Sequence, residues 1–208
     1  MTDLDVKGDL HTYLQGARET LVWKLDGLGE YDIRRPLTPT GTNLLGLVKH
    51  SVGMELLYFG AVFGRSHQIA LPWLGHPTGP NSDMWAAPEE ARDDIVAAYR
   101  STWEFADATI SDLPLDTVGT VPWWGDEEVT LHRVLVHVTA EVQRHAGHAD
   151  IVRELVDGSA GLLEGVDNLP SHDPAWWAGY RDRVESAARL AGRGGGSGPA
   201  ASDEEESA

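Results

Sequence analysis

The feature that most constrains the fold is a near-heptad run of inward positions between residues 130 and 156. The run consists of Leu131, Leu135, Val138, Val142, His145, Ala149, Val152 and Val156. This spacing places side chains on one face of an α-helix. We place the N-terminus of the helix at Thr130, and Gly158 is a suitable C-cap. Because a helix with one apolar face buries that face against a neighbour, the segment predicts a protein built from packed helices.

Four further segments are predicted to be helical. They extend from Asp3 to about Leu28, from Thr42 or Asn43 to about Phe63, from about Pro88 to Ser111, and from Asp173 to about Leu190. The segment before Thr130 is interpreted as a loop with at most a short extended excursion, and no alternation of strands and helices supports an α/β fold. The pattern therefore predicts an all-α protein whose four long helices form a bundle, with the last helix outside it.

The same pattern divides the chain into three parts. We predict that residues 1–160 form the helix bundle and that residues 161–192 form an extension with an amphipathic helix. Residues 193–208 are rich in glycine and then acidic, with too few apolar side chains to fold, so a disordered tail is predicted there.

The composition excludes several classes of function. A net charge of −17 argues against nucleic-acid binding, which needs a basic face. The start MTDLDVKGDL has neither the basic nor the apolar part of a secretory signal, and no apolar run is long enough for a membrane span, so we expect a cytoplasmic protein without a membrane partner. Cysteine is absent, so a metal would be bound by His, Asp or Glu, and a reacting thiol would come from another molecule.

The segment HVTAEVQRHAGHADIVREL combines the predicted inward face with polar side chains. Glu141 and His145 are four residues apart and share that face, with His137 one turn before and His148 one turn beyond. His50 is the only histidine on the apolar stripe of another predicted bundle helix. A carboxylate and an imidazole from one helix with an imidazole from a facing helix are typical of a three-ligand metal site. A histidine satisfied in the core, or an exposed ion pair within one helix, explains the same pattern.

Three segments resemble the DinB-like superfamily: LVWKLDGL, RRPLTPTGTNLLGLVKHSVGMELLYFG and HVTAEVQRHAGHADIVRELVDG. The likeness spans residues 8–160 and is strongest to the branch of mycothiol-dependent maleylpyruvate isomerase-like proteins and mycothiol S-transferases. It implies a four-helix bundle of up-down-down-up topology. It also implies a metal site at His50, Glu141 and His145, with Zn²⁺ as the expected ion and other divalent metals as alternatives. His148 is expected beside these ligands and not among them.

The resemblance implies a divalent-metal-dependent thiol S-transferase, or a thiol-dependent isomerase, that serves detoxification. Mycothiol or another low-molecular-weight thiol would attack a small electrophile as a metal-bound thiolate. A non-catalytic protein that sequesters a small molecule to confer resistance, and a zinc-dependent hydrolase, stay open as alternatives. Relatives often dimerise, so a homodimer is among the expected partners.

Two roles stay open within the sequence. The aromatic segments LPWLGHP and VPWWGDE could form the walls and lid of a pocket, or fill the ends of the bundle. Arg144 could pair with a substrate carboxylate, or with Glu141 or Asp150.

Overall fold

The computed structural model of the chain describes residues 5–71, 73 and 79–194. These residues form six α-helices and one small antiparallel sheet. The elements are α1 (Val6–Trp23), α2 (Glu30–Arg34), α3 (Leu44–Phe59), α4 (Arg92–Asp112), β1 (Val118–Val121), β2 (Glu127–Thr130), α5 (Leu131–Asp157) and α6 (Pro174–Gly194). The prediction of a mainly helical protein is confirmed. The chain divides into two compact units, one ending at Asp167 and one beginning at Asn168.

Side-chain caps and one glycine mark helix boundaries where the sequence predicts them, whereas α1 and α3 end at Trp23 and Phe59, before the predicted ends at about Leu28 and Phe63. The Asn43 side chain accepts a hydrogen bond from the backbone N–H of Gly46 at 2.8 Å and begins α3. Thr130 caps α5 in the same way, and Gly158 ends α5 in the left-handed conformation at φ 81°. Asp5 caps α1, whereas the predicted cap Asp3 lies outside the described residues.

Two local predictions are wrong, and a third is borne out in more detail than the sequence gives. Helix α4 begins at Arg92, four residues after the predicted start, because the side chain of Glu90 bonds the backbone N–H of Ala87 at 2.6 Å and fixes a turn there. The short helix α2 lies in a segment predicted as irregular. The excursion before Thr130 is a hairpin, which turns at Gly125 with φ 77°.

Helices α1, α3, α4 and α5 supply the core of the first unit. Every predicted inward residue of α5 from Leu131 to Val152 is buried. In α1, the apolar spacing predicts Tyr13 or Leu14 at one inward position. Leu14 is buried there, together with the predicted Ala17 and Leu21, and Tyr13 is 68% exposed. Helix α3 lies against α1, α4 and α5 and is buried around most of its circumference. The apolar spacing of α3 predicts Leu47, His50, Met54 and Leu57 as its inward stripe. Leu47 and Met54 are buried as predicted, but Leu57 is 43% exposed, so this stripe runs along the edge of the core.

A buried ionic cluster connects three of these helices. The Arg18 guanidinium of α1 donates to both carboxylate oxygens of Glu55 on α3, and to Asp107 on α4 at 2.7 Å. The side chains of Arg18 and Glu55 are both 0% exposed. Tyr99 donates its hydroxyl to Glu55 at 2.9 Å. Burial raises the pKa of Glu55, with Arg18 opposing that shift.

The second unit contains α6. The predicted helix is present but extends through Gly194, past the predicted start of the tail, and residues 195–208 lie outside the described part of the chain. Trp176 and Tyr180 stack on this helix with ring centroids 5.5 Å apart. None of the described helices is long and apolar enough to cross a lipid bilayer.

Candidate metal centre and cavity

Two of the predicted metal ligands meet between α3 and α5. The ring centroids of His50 and His145 are 5.0 Å apart and the ring planes are nearly perpendicular, at 88°. Two imidazoles that share one tetrahedral ion at metal–nitrogen distances of about 2.0–2.1 Å also have ring centres about 5 Å apart. The fold therefore brings together two histidines far apart in sequence at a spacing that suits a common ion.

His145 is a neutral, buried base. Its residue is 8% exposed, and among the described residues neither ring nitrogen has a hydrogen-bond partner. Burial, with a further contribution from His50, lowers the pKa of His145 to about 4. The imidazole is therefore unprotonated at neutral pH, which is the form that binds metal ions.

His50 is oriented by a carboxylate that the sequence analysis missed. Its Nδ1 lies 2.6 Å from Oδ2 of Asp83, in the long connection between α3 and α4. An ionised carboxylate can only accept, so Nδ1–H donates and Nε2 stays free as a ligand atom. No periodic signal marks Asp83, because it lies in an irregular segment.

One face of α3 holds this connection in place. Asn43 donates to the backbone oxygen of Met84 at 3.0 Å. A Cβ atom at Gly46 would overlap that same oxygen, so only glycine permits this approach. Lys49 donates to the backbone oxygens of Ser82 and Trp85 and to the carboxylate of Glu90. The GTNLLGLVKH motif therefore docks residues 82–90 and brings Asp83 to His50.

A cavity of 560 Å³ opens beside His50 and is lined by two of the three predicted metal ligands, His50 and Glu141. Its wall from α3 is formed by His50, Gly53, Met54, Leu57 and Tyr58, and its wall from α5 by His137 and Glu141. The connection between α3 and α4 adds Trp73, Gly79, Asp83 and Ser82, whose backbone oxygen accepts from Lys49. The hairpin adds Trp123. The edge of α3 that carries His50, Met54 and Leu57 is thus a wall of this cavity.

The far end of the cavity contains a cluster of aromatic rings around Tyr58. Its hydroxyl oxygen accepts the indole N–H of Trp123 at 3.2 Å and lies 3.0 Å from Nε2 of His137. The rings of Trp123 and His137 lie 5.1 Å and 4.8 Å from the Tyr58 ring. Trp124 packs edge-on against His137. Tyr58 follows His50 by eight residues, a helical spacing from which its place on the same face could have been predicted.

The aromatic segments both contribute to the cavity. Trp73 and Trp123 line it, which favours the predicted role as pocket walls over that of filling the bundle ends. Most of LPWLGHP, including His76, lies outside the described residues.

The remaining predicted residues lie around this centre. His148 is exposed, with its ring 6.1 Å from that of His145. Arg144 is also exposed. Asp150, one of the predicted partners of Arg144, forms an ion pair with Lys24 at 2.6 Å.

The side chains of His50, Glu141 and His145 are of the types that bind a divalent ion, but Glu141 does not join the two histidines in a three-ligand group. Across residues 5–71, 73 and 79–194, no group of three or more His, Asp or Glu side chains is arranged to hold a metal ion. Glu141 lies on the same cavity wall, one helical turn before His145. Two converging imidazoles, one with both nitrogens unpartnered, and a nearby carboxylate are the ligand types that zinc accepts.

Comparisons with known proteins agree with this arrangement at the level of fold and family. The model of the family described as mycothiol-S-transferase matches residues 9–158. No curated protein matches the chain. A crystal structure of a conserved protein from Enterococcus faecalis is similar at a TM-score of 0.59 and 16% identity, covering 76% of this chain and 100% of that one. At this identity the likeness shows the fold alone.

Proposed function

The chain belongs to the mycothiol-S-transferase family, and from this premise we propose that it transfers a low-molecular-weight thiol, mycothiol first among them, to a small electrophile in a divalent-metal-dependent reaction. A thiol-dependent isomerisation is the same chemistry with the thiol released again. His50, Glu141 and His145 would hold the ion, with Zn²⁺ as the first expectation. The observation that carries the proposal is the pair of imidazoles with ring centroids 5.0 Å apart, of which His50 lines an apolar cavity and His145 is buried behind it.

A divalent ion bound there supplies a Lewis acid that lowers the pKa of a thiol to near neutrality. The protein supplies the ligand geometry. Asp83 fixes the tautomer of His50, and burial keeps His145 unprotonated. The apolar side chains of Met54, Leu57 and Trp73 would lower the polarity around the nucleophile. Because the chain has no cysteine, the sulfur has to enter with the cosubstrate.

The proposal extends to the arrangement and setting of the protein. We assign the activity to residues 1–160, with α1, α3, α4 and α5 as the four helices of an up-down-down-up bundle and residues 161–192 as an extension. The cytoplasm is the proposed compartment because its redox systems keep small thiols reduced. Conjugation of electrophiles there would serve detoxification. A homodimer stays a prediction that light scattering tests.

Metal analysis combined with a conjugation assay tests the proposal. Protein purified without chelator should contain about one divalent ion per chain, and should conjugate mycothiol to a fluorogenic alkyl halide. His50→Ala and His145→Ala should each lose the metal and the conjugation. His132→Ala is the matched control, since His132 is an exposed histidine near the start of α5, and it should keep both properties.

Two results would contradict this function. Full conjugation by a metal-free His50→Ala protein would exclude the metal centre. Stoichiometric binding of an electrophile with no thioether detected by mass spectrometry would instead support the sequestering alternative, which the apolar cavity also accommodates.

A further inference from the structure

The cavity has a second polar centre at the end opposite to the histidine pair. Tyr58 is eight residues after His50 on α3, and His137 is eight residues before His145 on α5. His50 contacts His145, and Tyr58 contacts His137. Helices α3 and α5 therefore run antiparallel, and the two contacting pairs are about 12 Å apart along the helices. Between them lie the apolar side chains of Met54 and Leu57.

Three polar atoms converge at this second centre. An indole N–H can only donate, so the Tyr58 oxygen accepts from Trp123. With the proton of His137 on Nε2, the Tyr58 oxygen accepts from both neighbours and its own proton is directed to a ligand in the cavity. Two N–H donors stabilise the phenolate that remains after that proton leaves. Tyr58 is only 7% exposed, and a desolvated donor interacts more strongly than one in water.

Resting on the proposed thiol transfer, we propose that Tyr58 is a catalytic proton donor and that the electrophiles include epoxides. The thiolate sulfur forms a bond to one ring carbon, and the carbon–oxygen bond breaks with its electron pair moving to oxygen. Because Tyr58 lies about 12 Å along the helices from the histidine pair, that oxygen takes the proton of Tyr58 through one intervening water. The phenolate is then reprotonated from the solvent, which has received the proton of the thiol. The product is a β-hydroxy thioether, and no oxidant or reductant is consumed.

An epoxide fits this centre for a chemical reason. Its departing oxygen is strongly basic and remains attached to the product, so protonation is the main way to assist ring opening. A halide ion is a weak base and leaves without a proton. The uncharged walls of Met54, Leu57 and Trp73 also suit a small neutral epoxide.

The test compares an epoxide with an alkyl halide in Tyr58→Phe. With mycothiol as the thiol, the ratio of the epoxide rate to the halide rate should fall by about 100-fold or more, the usual contribution of general acid catalysis. Tyr31→Phe, which changes a tyrosine 76% exposed on α2, should keep the wild-type ratio. Trp123→Phe removes one donor to the Tyr58 oxygen and should lower the ratio by about 2–10-fold, which is the value of one hydrogen bond.

A matched pair of epoxides separates proton donation from packing. Tyr58→Phe should slow 1,2-epoxypropane more than its trifluoromethyl analogue 1,1,1-trifluoro-2,3-epoxypropane, because the less basic alkoxide of the latter needs less assistance. An equal loss with both epoxides and with the halide would overturn the role of Tyr58 and leave thiol transfer intact. Wild-type protein that conjugates none of these electrophiles would overturn the proposed function, and this inference with it.

Discussion

The buried cluster of Arg18, Glu55 and Tyr99 gives the strongest prediction for stability. Arg18→Met removes the cation and leaves a carboxylate that is 0% exposed with one remaining donor, the Tyr99 hydroxyl at 2.9 Å. Removal of one member of a buried ion pair costs about 3–5 kcal/mol. The free energy of unfolding of Arg18→Met should therefore fall by that amount at pH 7.

The double variant Arg18→Met/Glu55→Met distinguishes the cause. It removes both charges and fills their space with apolar atoms, so it should be about 2 kcal/mol more stable than Arg18→Met alone. The pH dependence has a defined sign. Without Arg18, the pKa of Glu55 lies above its unfolded value, the folded state binds the extra proton, and the single variant should regain stability as the pH falls from 7 towards 5.

Urea unfolding followed by circular dichroism at pH 7 and pH 5.5 measures all three proteins. Glu55→Gln serves as the isosteric comparison, because its amide oxygen still accepts from Arg18. A loss below about 1 kcal/mol in Arg18→Met, or a double variant less stable than the single one, would refute the reasoning.

Three further predictions concern the site. Asp83→Ala should weaken Co²⁺ or Zn²⁺ binding about 10–100-fold in a competition titration, with the exposed Asp116→Ala unchanged; equal affinities would exclude the orienting role of Asp83. In chelator-treated protein, the pKa of His145 is about 4 in the folded state and 6.5 in the unfolded state, so the free energy of unfolding should fall by roughly 3 kcal/mol as the pH is lowered from 6.5 to 4. The same dependence of unfolding free energy on pH in His145→Gln would contradict this. Gly46→Ala should destabilise the protein by at least about 2 kcal/mol in urea unfolding because its Cβ overlaps a loop carbonyl, whereas Gly147→Ala, with no atom within 4 Å, should be neutral or stabilising.

The sequence predicts the parts of the molecule where one helical face differs from the other. The inward residues of α5 and the caps Asn43, Thr130 and Gly158 follow from periodicity and capping chemistry. The approach of His50 to His145 was predicted from their places on two separate helices. Their service as metal ligands with Glu141 stays a prediction.

Other parts leave no periodic signal. Helix α3 is buried on most sides, so its apolar pattern does not distinguish residues that face the core from residues that face the cavity. Leu57, predicted to face the core, lines the cavity instead. Arg18 and Glu55 are charged residues that a pattern assigns to solvent, and only their mutual pairing allows burial. Asp83 depends on the path of an irregular connection, which side chains 33 to 41 residues away determine.

The anchoring of residues 82–90 has a consequence for how such a protein changes over evolutionary time. Lys49 and Asn43 hold Ser82, Met84 and Trp85 through main-chain carbonyl oxygens, which every amino acid carries. A substitution at these three positions therefore leaves the anchoring bonds intact. The side chain of Ser82, which lines the cavity, can accordingly change without first destabilising the fold, so the shape of the cavity can vary by single substitutions.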